Sequence, residues 1–566
     1  MLIDWVVVAA YLIGVTVLGT SAARRVKTSS NFFISDRQSG KLLMTFFSFG
    51  TGTNTDQAIG VASKTYTVGA SGIWYQWLWL FSTPFYWLLA PLFRRMRAVT
   101  TSDYLLIRYG RSVAVLFAIV GMFQLSVNIG VVLKATAALI APVSGEAISP
   151  EMAIIGMTIL FVIYGVAGGL NAAILTDAVQ GVLTIVLSFL ILPFALDAVG
   201  GLEGLRARAS VDNPELFSIV APSDITVLYV VVLALNGLIG WVATPYSMQM
   251  IGAGRTEDDA RVGLVAGMFL KRIVTIAWVL TAMCAVGIYA GTTVDPDHVY
   301  GLMARDLLPE IAPGLIGLFI ASVLAAVMSS CDCLMVSAAA LFTENIYRPL
   351  IRPGRSERHY VLVGRLTSIA VVLAGLSIAF TLPGVVRGLE VFWMVGAMMG
   401  LAIWMSFVWR RATAAAAWAS TLGGYAAALF TSDIDIAFIN WSFNNHFAGS
   451  LPEFMLYEGK LFLPWQMIIY LTVSLVMMVA VSLVTQPPDK KTLDRVYECL
   501  RTPVSEDEPE GEPLTLPAGT TPAARSVLIA HPDFEIMRPT AYTVIGFLAS
   551  CFMVVVLIGS FIWIIS

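Results

Sequence analysis

Charge is what this 566-residue chain has least of: Asp, Glu, Lys and Arg make up 13% of it, with a net charge of −3. So thin a polar complement excludes an ordinary soluble globular protein, and the missing basic excess excludes a nucleic-acid binder. Cysteine is scarce too. Cys284, Cys331, Cys333, Cys499 and Cys551 lie mostly within apolar stretches, without the CxxC or His-spaced pattern of a disulfide framework or metal site. The four histidines (His298, His359, His446, His531) lie outside those stretches, and no nucleophile–base set or phosphate loop accompanies them, so nothing points to an enzyme. What is abundant is hydrocarbon. Hydrophobic residues are 58% of the chain and the mean hydropathy is +0.80, the composition of a polytopic membrane protein.

Runs of about twenty residues, enough to cross the hydrocarbon as helix, fall near 2–23, 41–62, 71–93, 112–141, 151–169, 173–198, 225–251, 262–290, 312–341, 361–381, 388–409, 412–431, 463–485 and 541–565. That is an expected fourteen spans. No basic residue precedes the first run, whereas Arg24, Arg25 and Lys27 follow it, the pattern of a retained helix that starts outside. Most Lys and Arg then fall in alternate loops, such as Arg94–Arg97 and Arg348–Arg358, which makes those loops cytoplasmic. Both termini come out on the extracytoplasmic side of a plasma (cell inner) membrane. The organisation is an extra N-terminal helix in 1–30, core helices two to seven in 31–250 and eight to eleven in 251–411. Helices twelve and thirteen with an external loop occupy 412–485, a cytoplasmic connector 486–539, and helix fourteen 540–566. The connector, with Pro487-Pro488 and an acidic run from Glu506 to Glu512, is expected to be disordered beyond a short helix at 493–500. Asn440-Trp441-Ser442 forms a glycosylation sequon, which matters only in a eukaryotic source.

Two spans carry polar groups at bilayer depth. In the ninth, Ser329-Ser330 and Asp332 interrupt about thirty apolar residues, and a translocon-type scale charges an Asp at a helix centre roughly +2.5 to +3.5 kcal/mol. The second reads Phe49-Gly50-Thr51-Gly52-Thr53-Asn54-Thr55-Asp56-Gln57. Its glycines and β-branched threonines weaken the helix, so a break is expected, and unwound backbone survives in a bilayer only where it lines a cavity. Freed carbonyls there suit a hard cation such as Na⁺. The two spans run in opposite directions, as in inverted repeats covering spans two to six and seven to eleven.

Over roughly residues 30–430 the chain resembles the sodium:solute symporter family, in its sugar-transporting branch. The resemblance rests on Asp56–Gly60 and Gly72–Trp77, on Gly168-Gly169-Leu170-Asn171-Ala172 with Thr176–Gly181, on Ala325–Ser330 with Phe342–Tyr347, and on Phe407–Thr413. It implies an all-α membrane protein with a five-plus-five inverted-repeat core of LeuT-like type. It implies a Na⁺ site built from Gly50, Thr53, Ala326, Ser329 and Ser330. Asp177 falls on a Thr-Asp position that in relatives lies on the sodium route or in a second sodium site; the alternative is a helix cap. Gln57, Tyr75 and Trp77 match positions at or near the sugar pocket, Lys271 falls on a pocket lysine, and Asn128 matches less closely. Interhelical bonding for Gln57, an aromatic belt for Tyr75 and Trp77, and a snorkelling role for Lys271 are the structural alternatives. The chain departs from the sugar pattern at Gln76 (Glu in relatives), Gly237 (Asn), Gly240 (Tyr) and Leu389 (Gln).

Asp332 has no counterpart in that pattern. It is read as supporting a cation, with contact to a cationic solute, proton uptake or pairing with Lys134 or Lys271 as alternatives; Asp56 poses the same question on the facing span. The expected function is Na⁺-coupled symport of a small polar solute by alternating access. A sugar or polyol comes first, partly because Ser482–Pro487 with Leu493 resemble the tail of sugar-transporting members. Amino acids, monocarboxylates and urea-like solutes, or a sensor or channel on the same fold, are the alternatives. The partners expected are the solute, Na⁺ and the bilayer, without nucleic acid or an obligate protein.

Overall fold

The structure, a computed structural model, describes residues 2–23, 39–145, 147–209, 215–221, 224–436, 439–505, 508 and 511–566. The basic loop after Ala23 and most of the acidic run at 506–512 lie outside the described residues. Helices dominate. Those that frame the site are α1 (Leu2–Ala23), α2 (Lys41–Gly52), α3 (Thr55–Val68), α4 (Thr83–Arg95), α5 (Thr101–Tyr109), α6 (Arg111–Val143) and α7 (Pro150–Leu190). They continue as α8 (Val227–Trp241), α9 (Ser247–Gly252), α10 (Glu257–Ile288), α11 (Leu315–Phe342), α12 (Glu357–Thr381) and α13 (Val385–Val408). Last come α14 (Ala414–Phe430), α15 (Leu463–Val484), α16 (Lys490–Arg501) and α17 (Ala541–Ile565).

Among the described residues eight helices are long and apolar enough to cross a bilayer alone. Part of the difference from fourteen has local causes. The expected second span is two helices, because Thr53 (φ −131°, ψ 107°) and Asn54 (φ −129°, ψ 172°) are extended and part α2 from α3. The expected seventh is also two. Turns across Val242–Tyr246 separate α8 from α9, and Pro245, without an N–H, cannot carry the helical ladder through. The expected fifth and sixth spans share the single helix α7, continuous across 170–172 where a connection was expected. Two short antiparallel hairpins, Asp433–Ile436 with Ile439–Ser442 and Leu456–Tyr457 with Lys460–Leu461, add β-structure to the loop between α14 and α15.

Helix starts follow their caps. Thr100 and Asp103 form a capping box at α5, and Thr256 accepts the Asp259 N–H at α10. The connector after α15 corrects the expectation of disorder. Its helix runs over Lys490–Arg501, longer than expected, and buries Leu493, Val496, Tyr497, Cys499 and Leu500 on one face. Beyond it Leu514 is fully buried, and its N–H donates to Met96 O at 2.9 Å. Arg410 pairs with Asp494 and, at 2.6 Å, with Glu535, while the Glu535 N–H reaches Val408 O at 2.9 Å. Arg97 binds Glu508 through both guanidinium arms, with Nη2–Oε2 at 3.0 Å. Of the acidic run that suggested a solvated tether, Glu508 is the counter-charge to Arg97 just beyond α4, while Asp494 and Glu535, elsewhere in the connector, pair with Arg410 just beyond α13.

The side chains of Arg97 and Glu508 are only 4% and 8% exposed, so removing one partner strands the other. Arg97→Ala is expected to cost on the order of 3 kcal/mol, seen as a lower unfolding midpoint in detergent. Arg97→Glu combined with Glu508→Arg should recover most of it.

Candidate functional site

The break between α2 and α3 lies against α11, α7 and α10. Thr53 N–H turns back to Gly50 O at 3.2 Å, and Asn54 O accepts the Gln57 and Ala58 N–H groups that begin α3. Gly50 O also accepts the Ser330 hydroxyl of α11 at 3.3 Å. One residue before it, Ser329 donates to Asp177 Oδ1 of α7 at 2.6 Å, and Thr51 donates to Asp177 Oδ2 at 3.3 Å. Ala326 sits one turn earlier on α11, fully buried. Thr53 Oγ1 is buried without a hydrogen-bond partner among the described residues. The five residues expected around Na⁺ are therefore on two elements that touch, and Asp177, which is inside α7 and caps nothing, joins them.

Asp332 is buried one turn beyond Ser329 on the same helix. Tyr11 of α1 lies within electrostatic reach of both Asp332 and Asp177, and its hydroxyl accepts from Gln180 Nε2 at 3.2 Å. Asp56, in the first turn of α3, is buried, with Oδ1 lacking a hydrogen-bond partner among the described residues. It faces Lys271, whose ammonium donates to Gly52 O. Lys271 is thus 5% exposed and does not snorkel.

The expected solute contacts scatter. Gln57 Nε2 donates to Asn54 Oδ1 at 3.2 Å, beside the break. Tyr75 donates to Glu390 at 3.0 Å and accepts from Tyr229 at 3.2 Å. Gln76 Oε1 accepts from Arg272 at 2.9 Å, and Trp77 Nε1 donates to Arg272 O at 3.1 Å with its ring edge-on to Phe561 of α17. Neither of these two side chains belongs to the lining of the central cavity, and both rings of the 75–77 run are buried rather than at an interface. Asn128 is buried on α6.

That cavity, about 20 Å³, is walled by Trp79, Gln124, Asn236, Phe392 and Trp393, with Gly237, Gly240 and Gly396. It has room for about one water. Trp79, Gln124, Asn236 and Trp393 were not singled out from the sequence; buried Gln and Asn in apolar helices were the available signal. The departures at Gly237, Gly240 and Leu389 become packing contacts. A Cβ on Gly240 would lie 3.1 Å from the Ala397 N of α13, one on Gly237 2.8 Å from Leu78, and Leu389 fills the space over Gly60.

Helices of this kind, interrupted where polar groups converge, define a membrane transporter fold. The fold matches a solved Na⁺-coupled sialic acid symporter in a substrate-bound outward-open state, with a TM-score of 0.69 at 19% identity over 86% of this chain and 99% of that one. Residues 32–424 match the sodium:solute symporter family, and the chain belongs to that family. It is a multi-pass membrane protein of a transporter class whose co-transported ion is Na⁺. Similar proteins include the mouse (Mus musculus) sodium/myo-inositol cotransporter 2, 27% identical over 58% of this chain and 53% of that protein. The sodium/glucose cotransporter of Vibrio parahaemolyticus is 25% identical over 67% of this chain and 74% of its own. The chain thus spans about half the length of the mouse relative it matches.

Gly50 is required by close approach, since a Cβ there would lie 2.8 Å from Ser329 Oγ. Gly50→Ala should push that hydroxyl off Asp177 and cost about 1–3 kcal/mol. Thermal unfolding with and without NaCl checks it: the variant should melt lower and lose any sodium-dependent rise.

Proposed function

We propose that the chain is a sodium-driven symporter that takes up a small polar solute by alternating access, with Gly50, Thr53, Ala326, Ser329 and Ser330 holding Na⁺. The observation that carries this is the meeting of Gly50 O with the Ser330 hydroxyl at 3.3 Å beside the 2.6 Å Ser329–Asp177 bond. A hydroxyl that coordinates a cation must send its hydrogen elsewhere, and Asp177 accepts the one from Ser329, leaving the oxygen lone pairs to the ion. Hydroxyl and carbonyl oxygens suit a hard ion. Because they come from two helices, occupancy biases how those helices sit, which is the requirement for coupling. Each Na⁺ moved inward through 100 mV supplies about 2.3 kcal/mol for solute uptake.

Asp177, Asp332 and Asp56 form the proposed outer set of carboxylates, serving a second cation or the coupling step. The interrupted helices α2/α3 and α8/α9 are offered as the equivalent first helices of two inverted repeats. The solute is placed at the cavity between Trp79, Asn236 and Trp393, which must widen to admit it. A sugar or polyol is the first choice, supported by the relatives that carry myo-inositol and glucose. The packed Gly237, Gly240 and Leu389 positions keep amino acids and monocarboxylates on the same panel.

Proteoliposomes with an inward sodium gradient should accumulate one radiolabelled solute of that panel saturably, and the Ser329→Ala/Ser330→Ala double variant should lose at least about tenfold of the rate, one hydrogen bond to a carboxylate and one to a carbonyl being removed. Binding without accumulation would make the chain a sensor instead. Asp332→Asn is expected to weaken sodium activation of the same uptake; unchanged sodium affinity and stoichiometry would remove Asp332 from the cation set.

A further inference from the structure

Two carbonyls at the break turn to different neighbours. Gly50 O meets the Ser330 hydroxyl of α11, while Gly52 O accepts the ammonium of Lys271 on α10. Gly52 O is not among the proposed sodium ligands, and Thr53 and Asn54 follow it in extended conformation. Lys271 is held in place in turn: its Nζ lies 5.5 Å from the centroid of the Trp79 ring, and Asp56 beside the break is within electrostatic reach. Both Lys271 and Asp56 are at most 5% exposed.

A buried cation normally needs an anion as its direct partner. Here the direct partner is a backbone carbonyl that the helix has given up, so the lysine satisfies an acceptor which would otherwise be orphaned at bilayer depth. We propose that Lys271 is a positioning residue for the sodium site: its ammonium anchors the unwound Gly52–Asn54 segment from the α10 side, and this fixes Gly50 O and Thr53 for the ion on the α11 side. The inference rests on the sodium reading above and differs from a direct solute contact, because its effect appears with no solute present. Through Trp79, which also walls the central cavity, the same anchor touches the proposed solute site.

The test uses the purified full-length protein in nanodiscs, without solute, titrated with NaCl against choline chloride at constant ionic strength. Hydrogen exchange of the peptide covering residues 48–58 and tryptophan fluorescence are the readouts. Lys271→Met should raise the apparent sodium dissociation constant about tenfold or more, the loss of a charge-assisted hydrogen bond. It should also speed exchange at 48–58 before any sodium is added, with exchange at 227–241 unchanged. Lys271→Arg, which keeps charge and donors, should recover most of both. Lys271→Gln carries the same readouts if the Met variant is not monodisperse. Sodium affinity and exchange both unchanged in Lys271→Met overturn the proposal, and tighter sodium binding overturns it in favour of a lysine that merely repels the ion. If Ser329→Ala/Ser330→Ala binds sodium like the parent, the sodium site itself is misplaced, and the sodium-free exchange at 48–58 still decides the role of Lys271.

Discussion

A backbone carbonyl in hydrocarbon must have a donor or a cation, and the opened helix between Gly50 and Asn54 creates that demand at the centre of the bundle. Its neighbours are arranged around meeting it. Ser330 of α11 serves Gly50 O and Lys271 of α10 serves Gly52 O, while Ser329 turns to Asp177 of α7. The broken segment is therefore held from two sides.

Around this centre, polarity is rationed. The chain has few charges, and many of those it has are matched where they leave the apolar layer. Arg95 with Glu257 joins α4 to α10 and the pair also meets the connector at Leu500 O and the Val504 N–H, while Arg97 with Glu508, and Arg410 with Asp494 and Glu535, fasten the connector beside the ends of α4 and α13. Small residues do the opposite job in the interior. Gly237 and Gly240 bring α8 close to Trp79 and α13, turning space that side chains would line into helix contact. The cavity there is consequently small and aromatic.

Several of these features were readable from residue types because each is expensive. Glycine and threonine in an apolar run announced the break, and a serine pair with Asp332 in another announced its partner. Other features left fainter marks. The second interruption shows only as Thr244-Pro245 inside a run that otherwise reads as one span. The docking of the connector hid behind prolines and acidic residues, because local composition records solvent affinity and not the arginines that wait across the fold. Thr51 and Tyr11 were invisible as neighbours of Asp177, since α1, α2 and α7 meet only after folding.

The sequence by itself determined the environment and the chemistry on offer: a membrane chain, a weakened helix and oxygen ligands suited to a hard cation, all consequences of transfer free energies that each residue carries with it. Only the tertiary structure decided which of those groups meet. It sent Lys271 to Gly52 O instead of solvent, turned Gln76 and Trp77 towards Arg272, and set Asp177 under Ser329. Hydrogen bonds act over about 3 Å, so partnership depends on how helices remote in sequence pack, and no local pattern encodes that distance.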